Sequence, residues 1–333
     1  MKTAVLNHKI SLLMLTTLAF APALALAGET IDETIDVSEN EIIDIEIING
    51  DVTITGWNRS EVSFKGELSD RAESYDFSSR NGVTRFAEEY EDRRTFFDRN
   101  CSNWFDCCDD DHTVLEISVP RNATVRFEGI NVELTLSDIA GNTQVDIVNG
   151  PIEATNLEGR INIEAVNGSI DASNLSGRIN LSTVNGQIRD QGSRGESVSY
   201  DNVNGSIISD TRAERVNAET VSGSIELDLD KVDNLETSAV SARVTVSLEL
   251  LDGGRVEMSN VSGRTELLVN RNISASFDIN TAVGGNIDND LSDDRPVQEN
   301  RFINSSELQF SLNGGSGNVE ISSVSGDIII GEK

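Results

Sequence analysis

The chain has 333 residues and carries 57 Asp and Glu against 26 Lys and Arg, a formal net charge of -31. A surface this acidic repels nucleic acid and anionic lipid, which argues against both as partners. Two histidines, three cysteines and 5% aromatic residues leave little material for His-based metal sites or a Ser-His-Asp arrangement.

Met1 to Ala27 reads as a secretory signal peptide. Lys2 and Lys9 accompany an apolar run from Ile10 to Phe20, and Ala25-Leu26-Ala27 is a small-residue cleavage site. The run is shorter than a bilayer span, no second stretch of spanning length follows, and no cysteine directly after it offers a lipid anchor. The expected product is exported to the periplasm, or is secreted or held at the cell surface, of a Gram-negative bacterium, without a transmembrane segment. Once cleaved after Ala27 it keeps His112 as its one histidine.

Residues 28–130 read as an N-terminal antiparallel β cap. "EIIDIEIINGDVTITGW", "EVSFKGEL", "ESYDFSSRNGVTRF" and "TVLEISVP" alternate apolar and polar positions, and Asn81-Gly82 is a hairpin-turn dipeptide. Positions 71–112 hold an insertion with Tyr75, Phe77, Phe86, Tyr90, Phe96, Phe97, Trp104 and Phe105. These aromatics read as the cap's own core, with a patch for sugar rings or a protein partner as the alternative. The insertion also carries Cys101, Cys107 and Cys108. In an oxidising compartment a disulfide from Cys101 to Cys107 or Cys108 is expected, because a bridge between the adjacent pair strains the intervening peptide. The odd thiol is then available for a covalent dimer. Asp109, Asp110, Asp111 and His112 beside the cysteines raise a zinc or copper alternative, but the spacing matches no familiar metal motif. No cofactor is predicted.

Residues 131–333 repeat. Gly141, Gly150, Gly159, Gly168, Gly177, Gly186 and Gly195 fall nine residues apart, and "VNG" alternates with "NLEGRI" or "NLSGRI", so the full unit is eighteen residues. Val148, Val166, Val184, Val203 and Val221 precede the turn and Ile152, Ile170, Ile188, Ile207 and Ile225 follow it. Both columns are expected to face inward. The spacing predicts an all-β, single-stranded β-solenoid (β-helix) of about ten coils, each stacked at the ~4.8 Å strand separation. Asn149, Asn167, Asn185 and Asn204 at the turns are placed to form an amide ladder. Stacked carboxylates such as Glu153 and Asp171 suggest weak Ca²⁺ binding, although Arg189 continues their column and the Gly-Gly-x-Gly-x-Asp phrase is absent.

"NGDVTITGWNRSEV", "LEISVPRNATVRF" and the train of "VNGSI", "VSGSIEL" and "VSGDIII" resemble the bacterial putative adhesin family, a domain of unknown function. The resemblance runs from about Gly50 to Gly331 and implies an exported β-solenoid with no catalytic residues to carry over. The Cys-bearing insertion departs from the plain pattern. Together these features point to a non-enzymatic, adhesin-like protein whose polar repeat surface binds an envelope or extracellular protein or glycan. The alternatives are a periplasmic envelope-stress sensor or scaffold and, less favoured, a polysaccharide-cleaving enzyme with carboxylates in a groove.

Overall fold

The computed structural model describes residues 30–38, 40–90, 112–300 and 305–333. Ala27 with the rest of the expected leader lies outside the described residues, and so do Phe96, Phe97, Trp104, Phe105, Asp109 to Asp111 and all three cysteines, Cys101, Cys107 and Cys108.

Every regular element among the described residues is a strand. The first seven are β1 (Thr30–Asp36), β2 (Ile42–Trp57), β3 (Glu61–Glu67), β4 (Ser74–Arg80), β5 (Val83–Glu89), β6 (Thr113–Pro120) and β7 (Thr124–Ser137). The repeats give β8 (Thr143–Asn149), β9 (Ile152–Thr155), β10 (Glu158–Asn167), β11 (Ile170–Ser173), β12 (Ser176–Asn185), β13 (Ile188–Gln191), β14 (Arg194–Ser209) and the long β15 (Arg215–Ser262). The chain ends with β16 (Thr265–Val269), β17 (Ala275–Thr281), β18 (Ile287–Asn289), β19 (Val297–Asn300), β20 (Ser305–Leu312), β21 (Gly317–Ser325) and β22 (Ile328–Glu332).

From β8 to β13 each eighteen-residue unit supplies two strands, separated at the Asn-Gly corner. The strands before the corner, β8, β10 and β12, stack in parallel between β7 and β14. Those after it, β9, β11 and β13, stack in parallel between the same two strands. Because β7 and β14 run through both ladders, the pairing closes on itself as a barrel core of eight parallel strands. This overturns the expected single-stranded β-solenoid. The corner divides every repeat into two pairing segments, whereas β7 and β14 pass through it unbroken and join the ladders.

The antiparallel cap is corrected too. β1 with β3, β3 with β6, and β4 with β5 are antiparallel. β2, however, runs parallel to β5, β6 and β7. Asn81 and Gly82 both take positive φ (55° and 79°), which closes the two-residue turn between β4 and β5. Phe86 is buried and stacks on Phe64 at 4.7 Å, with Tyr75 and Phe77 packed around them, so Tyr75, Phe77 and Phe86 of this region build local core.

Sequence order is not spatial order at either end. β2 lies between β7 and the β5–β6 pair, although β6 leads directly into β7. β21 lies between β15 and β17, and β22 between β16 and β18. Beyond these, antiparallel β20 pairs with β17, and β19 pairs with β20.

The corner glycines set how closely the repeats stack. A Cβ on Gly186 would stand 2.0 Å from the carbonyl oxygen of Gly168, far inside van der Waals contact. Gly186→Ala should therefore push two corners apart and lower the unfolding free energy by about 2 kcal/mol or more in urea titrations.

Candidate functional site

Isoleucines Ile152, Ile170, Ile188, Ile207 and Ile225 are all at most 1% exposed. The valines are not. Val148, Val166, Val184, Val203 and Val221 are 39 to 47% exposed, which corrects their expected place in the core. The reason is a change of face at the corner. Before it, Thr143, Val145 and Ile147 point inward on β8; after it, Ile152 and Ala154 do so on β9. The odd positions thus hand over to the even ones, and the valine one residue after Ile147 faces out. The inward position beside each corner passes through Ile147, Ala165, Thr183, Asn202 and Thr220. Its polar members serve the turn: Thr183 donates to the Gly168 carbonyl at 3.0 Å and Asn202 to that of Gly186 at 2.9 Å.

Three columns share the resulting outer face. The first is amide-rich: Gln144, Asn162, Asn180, Ser199 and Asn217 are partners on successive strands. The second is acidic: Glu46, Glu128, Asp146 and Glu164 are consecutive partners, then after Ser182 come Asp201 and Glu219. The third is apolar, running from Ile130 through Val148, Val166, Val184 and Val203 to Val221, and Val240, Val261, Val283 and Val324 are exposed in the same way. At the corner Asn149 donates its amide to Asn131 at 2.8 Å, Asn167 to Asn149 and Asn185 to Asn167 at 2.9 Å, and Asn204 to Asn185 at 3.1 Å. This ladder fixes the edge of the valine column.

The amides of the first column also reach sideways to the acids. Asn162 donates to Glu164 at 2.8 Å, Gln144 to Asp146 at 3.1 Å and Asn217 to Glu219 at 3.2 Å. Glu46 pairs with Arg85 at 2.8 Å, whereas Glu128, Asp146, Glu164, Asp201 and Glu219 form no ion pair among the described residues. Like charges held directly opposite on neighbouring strands destabilise each other. Burial raises the Asp201 carboxyl above its ordinary value, and the charges of Glu219 and Glu164 push it the same way.

On the other outward ladder Glu153 pairs in register with Asp171, and Asp171 with Arg189. No group of three or more His, Cys, Asp or Glu among the described residues is arranged to hold a metal ion. His112 contacts Asp51 at 3.2 Å. A depression of about 360 Å³ beside β5 is lined by residues including Glu46, Asp76, Arg85 and Glu88. Among the described residues no helix is long and apolar enough to cross a membrane.

Glu41, Glu88 and Asp190 are the buried acids among the described residues, and Asp190 lies inside the barrel core. Asp190, 1% exposed, continues the inward column of Ala154 and Ala172, accepts a short hydrogen bond from Ser193 and accepts another from Tyr200 at 2.6 Å. Tyr200 also meets Ser209 at 2.7 Å. Burial raises the Asp190 carboxyl, an effect only partly opposed by those two donors.

No family model and no curated relative matches the chain. Solved structures with which it shares a distant likeness include a putative cell adhesion protein from Clostridium sporogenes, at 11% identity, covering 92% of this chain and 100% of that one, with a TM-score of 0.26. A putative adhesin from Bacteroides fragilis matches at 11% identity over 92% and 97% of the two chains, TM-score 0.37. A putative lipid binding protein from Parabacteroides distasonis matches at 9% identity over 92% and 98%, TM-score 0.36.

Two outcomes follow for stability. Ile188→Asp should cost several kcal/mol, because it buries an unpaired charge, while Val184→Asp should cost less than about 1 kcal/mol; equal urea midpoints would refute the assignment of faces. The raised Asp190 carboxyl means that the folded chain holds this proton more tightly than the unfolded chain. Its contribution to stability is fully present below the unfolded value and is lost as pH rises through the folded one. The unfolding free energy of the native protein relative to Asp190→Asn should therefore grow as pH falls from 7 toward 4, measured by urea titration at each pH.

Proposed function

We propose that the chain is a non-enzymatic, exported, adhesin-like binding protein that presents its repeated outer columns to a partner in or outside the cell envelope. The observation that carries this reading is the outward valine column. Full burial of a valine side chain is worth about 1.5 kcal/mol or more, yet rung after rung leaves one in solvent. Single exposed apolar residues are ordinary, but a contiguous row bordered by polar columns is the composition of an interaction surface. Export rests on the leader-like first 27 residues, and the non-enzymatic reading on an outer face built from near-repeating rungs. Fractionation of cells should recover the protein from the periplasm, outer surface or medium, and the purified protein should retain envelope polysaccharides or proteins without altering them. Release of new reducing ends from a polysaccharide would overturn the non-enzymatic reading, and cytoplasmic recovery would overturn export.

A further inference from the structure

We infer that the acidic and valine columns between Ile130 and Val221 together dock a basic amphipathic α-helix of a partner protein. The inference deepens the reading of the outer face as a binding surface and rests on it.

Charge selects the occupant. The acidic column runs alongside the valines only on these rungs. Farther on, the positions two residues before Val240, Val261 and Val324 are Ser238, Ser259 and Ser322. Five of the acids have no cationic partner among the described residues and stand opposite one another, so a row of Lys or Arg side chains relieves repulsion already present in the folded protein. A second copy of this face brings acids against acids, and an anionic bilayer is repelled.

Spacing selects the conformation. Successive rungs lie about 4.8 Å apart. One turn of an α-helix laid along the columns advances about 5.4 Å, so its i, i+3, i+4, i+7 stripe meets nearly every valine in turn. An extended strand laid the same way repeats its side chains every 6.6 Å or so and loses step within two or three rungs. A polyproline II segment repeats at roughly 9.3 Å and meets only every second rung. The acid two residues along the strand lies about 6.6 Å to the side of the valine, within the width of a helix of ~10 Å diameter. Apolar side chains of the helix thus cover the valines while its neighbouring basic stripe lies over the carboxylates. The five steps from Ile130 to Val221 span about 24 Å, or roughly 16 residues of helix.

The test uses the purified chain and an 18-residue peptide with Leu at helical spacing and Lys on the adjoining stripe. Its control is a peptide of the same composition with the order scrambled to abolish the stripe. The amphipathic peptide should bind and gain helical circular dichroism on binding, and the scrambled one should bind at least about tenfold more weakly. The triple variant Glu128→Gln, Asp146→Asn, Glu164→Gln and the double variant Val166→Ser, Val184→Ser should each weaken binding by about tenfold or more with melting temperatures near that of the native chain. Glu153→Gln with Asp171→Asn, on the other outward ladder, should leave binding unchanged. Equal binding of the scrambled peptide, indifference to either face variant, or self-association abolished by the valine variant would overturn the inference. If the peptide fails while a polysaccharide or an envelope protein is retained, the helix inference falls and the binding function stands. If no class of partner is retained, both fall.

Discussion

Parallel strands held in register at one hydrogen-bonded spacing dictate nearly everything else in this molecule. In such a ladder each residue has the residue one repeat away as its neighbour, so a side chain chosen once is chosen for a whole column. Ile161 pairs with Ile179, Asn162 with Asn180 and Gly159 with Gly177. Isoleucine columns fill the interior, amides bond their own kind above and below, and glycine admits the close approach of corner to corner. The same rule multiplies an unfavourable choice: an acid placed outward once becomes a row of acids, moderated by the neighbouring amides and, at Glu46, by Arg85.

The interior shows how far the rule bends. Where Tyr200 replaces the leucine at Leu181, the next residue in the column is Ala218, which leaves room for the larger ring. Its hydroxyl then needs a partner, and Asp190 with Ser209 supplies one from the facing ladder. A bulky polar substitution is thus accommodated by changes in two columns at once. The cost is a carboxyl group removed from water.

The all-β character, the eighteen-residue step and the membership of the valine, isoleucine and corner-asparagine columns were legible in the sequence, because they depend on local alternation and on repetition. The acidic and amide columns of the outer face emerged only from the register. The face on which each column lies was only half legible. Val148 and Ile152 are four residues apart, which in an uninterrupted strand puts them on one side. The corner at Asn149-Gly150 shifts the alternation by one position, and the true inward column there is masked by Thr183 and Asn202, whose polar atoms bond the turn. The pairing of β2 with β7 and of β21 with β15 and β17 was not legible at all. Those contacts join segments far apart in the chain, and nothing in local pattern distinguishes a strand that continues the stack from one that returns to an earlier gap. Closure into a ring is of the same kind, since it depends on β7 and β14 passing a corner that divides their neighbours.

The interleaving at the two ends constrains the order of assembly. β21 and β22 fill a slot whose walls, β15 with β16 on one side and β17 with β18 on the other, are both made earlier by the ribosome. Until the last strands arrive, the walls present unpaired amide and carbonyl edges across a gap one strand wide, and direct pairing between them would shut the slot. Folding of this region therefore cannot advance rung by rung behind synthesis. It must wait for the whole segment, so between the emergence of β15 and that of β22 those edges stay open to mispairing.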